Sequence, residues 1–78
     1  MQTIEKYFGA AVRQRREKGG LSQEEFAEKA GIHRTYVSSI ELGKVQVSIA
    51  VAHKLATALE LPLSRLWRDV ESAMEEHD

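Results

Sequence analysis

The sequence lacks several things that would otherwise define it. It has no cysteine, so no disulfide can brace a chain of 78 residues, and nothing points to an oxidising compartment. A single small core is marginal at this length, and a partner subunit is the natural brace. Apolar residues make up 42% of the chain, yet no run of them approaches the ~18 residues of a membrane span. No charged and then apolar leader precedes a cleavage site, so a soluble, cytoplasmic chain with no membrane association is expected. Charge of one sign is also missing. The net formal charge is −1, which is weak for a polyanion binder. No nucleophile elbow, phosphate-binding loop or metal motif is present, which argues against an enzyme. The three histidines, His33, His53 and His77, have no carboxylate at ligand spacing, so neither a metal site nor any other cofactor is expected.

What is present is helix punctuation. Ser22 followed by Glu25 has the form of a capping box and starts a helix. Phe26, Ala27 and Ala30 lie on one apolar face, and Gly31 supplies the left-handed position that closes the helix. After Ile32, Val37 and Ile40 form a second apolar stripe, while Arg34, Thr35, Ser38 and Ser39 point elsewhere. Two short helices about a glycine turn, the second polar on its outer side, are the plan of a helix-turn-helix unit over about 22–42. In such a unit the second helix enters the DNA major groove. Arginine can donate bidentately to guanine, and serine and threonine can reach several base edges.

Charge is unevenly divided along the chain. Residues 1–46 hold eight Lys/Arg against six Asp/Glu, and residues 47–78 hold three against six. The motif therefore lies on the basic side, and the acidic tail with Glu71, Glu75, Glu76 and Asp78 is expected to face away from phosphates.

The stretch SQEEFAEKAGIHRTYVSSIELGK resembles the Cro/repressor-type, or XRE, family of DNA-binding domains. Ser22, Gln23, Ala27, Gly31, Val37, Ser38, Ile40, Glu41 and Gly43 carry the pattern in order, and the likeness extends from about Val12 to Trp67. Within that family, the RTYVS run and the short chain most resemble the controller proteins of restriction-modification systems. The resemblance implies a lambda-repressor-like fold and a buried pair between Arg16 and Glu41. It also implies a backbone contact from Gln23 at the start of its helix, against the plain reading of a solvated amide.

His33 occupies the N-cap slot of the second helix and either touches a phosphate or is simply exposed. Tyr36 is either a partly packed ring or, as in controller-like relatives, a contact to DNA. Lys44 and Gln46 are the nearby polar candidates. At Leu42 and near Val45 those relatives often carry basic residues, and this sequence does not. Arg13 and Lys18 are either a solvated basic face or phosphate contacts.

Around this unit the periodicity builds an all-α bundle of five helices in one domain, 1–78. Thr3 caps the first helix, which runs to Lys18 and ends at Gly19-Gly20. Ile4, Phe8, Ala11, Val12 and the stem of Arg15 form its stripe, and Gly9 reads as a close-packing point. Ser48 caps a fourth helix within Val47 to Glu60, with Val51, Ala52, Leu55, Ala56 and Leu59 inward, and Pro62 breaks it. Ser64 is expected to cap a fifth helix over about 64–76. Its Leu66, with part of Trp67, folds back on the first helix. The remaining stripe of Trp67, Val70 and Met74, with Leu63 at its margin, is expected to be an exposed dimer interface.

The function implied is a homodimeric, sequence-specific transcription regulator on a pseudo-palindromic operator, nucleoid-associated in a bacterium or phage. RNA polymerase is a further candidate partner. The alternative is a protein-interaction module, such as an antitoxin or adaptor, built on the same domain.

Overall fold

The computed structural model describes residues 2–77, and the side chains of 2–76. Its helices start and stop where local chemistry demands. The Thr3 hydroxyl accepts from Lys6 N at 3.3 Å and opens α1 (Ile4–Lys18). At Ser22 both halves of the capping box are made: Glu25 N donates to Ser22 Oγ at 3.0 Å, and Ser22 N donates to Glu25 Oε1 at 2.9 Å. These bonds satisfy two backbone donors that the helix itself cannot. α2 (Gln23–Ala30) then closes on Gly31, whose φ of 73° lies in the left-handed region where a side chain would be strained. His33 caps α3 (Arg34–Glu41), and Ser48 caps α4 (Ile49–Ala58). The last helix is α5 (Leu63–His77). Among the described residues there is no strand.

The start of α5 corrects one expectation. Ser64 lies inside the helix, and the Pro62 carbonyl accepts the first bonds, from Arg65 N at 3.0 Å and Leu66 N at 3.4 Å. Nor does the proline end α4: that helix closes earlier, at Leu59, with Glu60 in the left-handed region at φ 61° and Leu61 N donating to the Ala56 carbonyl at 3.1 Å, whereas the φ of Pro62 suits the start of α5 and its carbonyl is free to accept.

α1 packs on α3 and α5, α2 on α3 and α4, and α4 on α5. The centre is filled by Val12, Phe26, Val37, Ile40, Leu55, Leu66 and Val70, each with less than 2% of its surface exposed. Val70 is a further correction: it belongs to the core and not to an exposed interface. α5 touches both α1 and α4, so it buries a stripe of Leu66, Val70, Ala73 and Met74. Leu63 and Trp67 lie beside that stripe. Trp67 remains 39% exposed while its ring sits 6.3 Å from that of Phe8, tying α5 to α1.

The sequence stripe of α1 is shifted as well. Tyr7 is buried and Ile4 is 43% exposed. Gly9 faces the end of α3 so closely that a Cβ there would lie 2.8 Å from the Glu41 carbonyl oxygen. No side chain fits, and the two helix backbones approach because none is present.

Candidate nucleic-acid interface

α3 has one face in the core and one outside. Val37, Ile40 and Glu41 are buried, whereas Arg34 and Thr35 are exposed and Tyr36, Ser38 and Ser39 are half-buried. The spacing i, i+3, i+4, i+7 aligns Thr35, Ser38, Ser39 and Leu42 on the outer side. Leu42, 53% exposed, places an apolar side chain at the end of that row. Lys44 and Gln46 are exposed in the loop that follows.

The far end of α3 is anchored by charge. Arg16 Nε donates to Glu41 Oε2 at 2.6 Å and Arg16 Nη2 to Glu41 Oε1 at 3.0 Å, a bidentate pair whose side chains are 10% and 2% exposed. Arg16 Nη1 also donates to the Leu21 carbonyl at 2.8 Å, so the same guanidinium holds the loop before α2. The hydrogen bond to Glu41 raises the Arg16 guanidinium above its already high ordinary value, and the positive charge persists throughout the pH range of a folded protein.

Gln23 joins this network. Its Nε2 donates to Glu41 Oε1 at 3.1 Å. One amide hydrogen is thereby turned inward, and the other remains for an outside acceptor at the start of α2. Arg13 lies against Glu17 in an exposed pair at 3.1 Å, and Lys18 is exposed.

At the other end of α3, His33 Nδ1 accepts from Thr35 N at 3.3 Å. His33 is exposed, and Tyr36 packs part of its ring against the core.

The structure thus brings Gln23, Arg34, Thr35, Ser38 and Ser39 to the α2–α3 unit. It leaves Leu63, Trp67 and Met74 on α5 as partly covered apolar residues. Sequence reasoning missed Ile49, which is 84% exposed beside Ser48. Spacing carried no signal for it, since seven residues before the buried Ala56 it lies on nearly the same side of α4. Together with Ile4, Phe8, Val47, Leu63 and Trp67 it lines an apolar groove between α1, α4 and α5. Also missed was the pair of Arg15 with Asp69 on α5, bidentate at 2.6 and 3.1 Å.

A helix-turn-helix family model matches residues 12–66, which span the whole unit and the elements that hold it. The chain belongs to the helix-turn-helix family of Cro/repressor, or XRE, type. Among its relatives, the control protein C.MunI of Mycoplasma sp. is 43% identical over 72 residues, covering 91% of this chain and 97% of that protein. The restriction-modification controller protein C.AhdI of Aeromonas hydrophila is 40% identical, with a TM-score of 0.78 over 80% of this chain and 94% of that one. The clp gene regulator ClgR of Corynebacterium glutamicum superposes with a TM-score of 0.93 over 97% of this chain and 81% of that one. At 24% identity that likeness concerns the fold alone. The five-helix architecture and the family membership make the chain a DNA-binding regulator of the helix-turn-helix kind and not an enzyme, and its resemblance is to controller proteins. Among the described residues no helix is long and apolar enough to cross a membrane, and no cluster of metal-ligating side chains occurs.

Proposed function

We propose that the chain acts as a homodimer on a pseudo-palindromic duplex operator, as a controller-type transcription regulator in the cytoplasm and on the nucleoid. The observation that carries this reading is the outward face of α3. Arg34 and Thr35 are exposed at its first turn, on a helix held at its other end by Arg16 and Glu41. Arg34 and Thr35 reach base edges, while Ser38, Ser39 and Tyr36 contact bases or backbone. Gln23 uses its remaining amide hydrogen on a phosphate, where the positive end of α2 adds to the attraction. His33, Lys44 and Gln46 flank these contacts.

The second copy is assigned to the apolar groove. Ile49 and Trp67 are exposed and Leu63 half-buried along it, a contiguous apolar surface of the kind that a second copy can cover. A two-fold contact there pairs two α3 helices, and paired half-sites require a separation of roughly 34 Å. Met74 lies toward the core side of α5 and contributes at most the edge of that contact.

Enrichment of bound duplexes from random DNA tests the reading. Two related half-sites at a fixed spacing are the expected result, with affinity falling steeply as salt rises. Recovery of unrelated sequences, or salt-insensitive binding, would favour the protein-interaction alternative.

A further inference from the structure

The first turn of α3 contains a hydrogen-bond arrangement that bears on what Thr35 can read. His33 Nδ1 accepts the backbone N–H of Thr35. An imidazole nitrogen that accepts carries no hydrogen, so in the neutral ring the hydrogen sits on Nε2. The same Nδ1 lies 2.7 Å from Thr35 Oγ1. With no hydrogen on the nitrogen, the hydroxyl must supply one, and Thr35 Oγ1–H donates to His33. A threonine hydroxyl has one hydrogen and two lone pairs. Its hydrogen is turned back toward the cap, and only lone pairs face outward. Both residues are exposed, so those lone pairs are open to whatever α3 meets.

An unconstrained hydroxyl rotates and meets a donor or an acceptor equally well. This one cannot. We propose that His33 is a specificity-determining positioning residue: by accepting the Thr35 hydroxyl hydrogen, it makes Thr35 a reader of exocyclic amino groups. Adenine N6 and cytosine N4 present a donor in the major groove where guanine O6 and thymine O4 present an acceptor. Two acceptors facing each other repel, so the carbonyl-bearing base is rejected at that position. The inference rests on α3 being the DNA-reading helix. It adds that the residue before the helix sets the polarity of one contact without touching a base. Capping alone would not do this, since it requires only that some group accept the backbone N–H.

The test uses three full-length chains: the wild type, His33→Asn and His33→Gly. Asparagine caps a helix and keeps an acceptor oxygen for the hydroxyl. Glycine is tolerated at an N-cap with little loss and offers no acceptor. Circular dichroism checks that each is folded. The base pair under Thr35 is first located as the half-site position whose discrimination disappears in Thr35→Val. At that position, duplexes with adenine against guanine, or cytosine against thymine, are titrated with each chain. The wild type and His33→Asn are expected to favour the amino-bearing base by on the order of fivefold, the effect of one net hydrogen bond. For His33→Gly the two duplexes are expected to bind within about twofold of one another. The inference is overturned if His33→Gly discriminates as the wild type does, if Thr35→Val alters no position, or if the favoured base presents a carbonyl. A wild-type chain that binds no duplex at all would overturn the regulator reading itself, and this inference with it.

Discussion

Arg34 and Arg16 are two arginines of one small domain with opposite assignments, and exposure separates them. Arg34 stands in solvent at the first turn of α3, with its guanidinium free to present parallel donors. If it reads a base, Arg34→Ala is expected to weaken binding to the selected operator by about 1–3 kcal/mol and to affect random DNA much less. Titration of both duplexes decides, and an equal loss on each would make Arg34 a phosphate contact. Arg16 is 8% exposed and committed to Glu41. Removing either partner leaves a buried charge, so Arg16→Met or Glu41→Leu alone is expected to destabilise by about 3–5 kcal/mol. The double replacement is expected to cost less than the sum. A denaturant-melting cycle measures the difference, and strict additivity would mean that the pair contributes no coupling.

Between elements, α1 ties α3 and α5 together. Its Gly9 lets the backbone of α3 approach, its Arg16 holds the end of α3, and its Arg15 reaches α5 through Asp69. That last contact gives the fold a specific acid sensitivity. The hydrogen bond from Arg15, chiefly, holds the Asp69 carboxyl below its ordinary value. A carboxyl depressed in the folded state contributes stability that is fully present above its unfolded value of about 4 and is lost as pH falls through the lower folded value. Asp69→Asn is therefore expected to lower stability near neutral pH by about 1 kcal/mol. The difference from the wild type should shrink below about pH 4. Thermal melts of both chains across pH 2–7 check this, and a constant difference down to the acid end would show that the charge of Asp69 is not the cause.

For the whole molecule, the proposed seating of a second copy in the groove of Ile49, Leu63 and Trp67 would couple assembly to operator binding. Ile49 makes little use of the core, being 84% exposed, so Ile49→Glu is expected to leave helical circular dichroism and melting nearly unchanged. Ultracentrifugation is expected to find a monomer. Operator affinity should fall on the order of a hundredfold, because one-half-site binding loses the intramolecular second contact. A dimer that survives Ile49→Glu would place the interface elsewhere. Val70→Glu makes a contrast: Val70 is fully buried, and a charge there is expected to unfold the domain whether or not it dimerises.

Local chemistry was legible in the residues alone. Ser22 with Glu25, Ser48 and Thr3 mark helix starts because capping bonds join residues three apart, and Gly31 marks an end by its left-handed φ; neither needs a distant partner. The outward set Arg34, Thr35, Ser38 and Ser39 followed from the same short-range periodicity, and the residue pattern of the unit sufficed to suggest the family and the Arg16–Glu41 pair. Tertiary structure decided the rest. Periodicity says that α5 has an apolar side, but only its simultaneous contact with α1 and α4 turns Val70 inward and leaves Trp67 at the surface. The partner of a long polar side chain depends on which helix backbone comes within reach. Arg15 finds Asp69 across 54 positions, and Gln23 turns one amide hydrogen to Glu41, because packing sets those distances and sequence spacing does not.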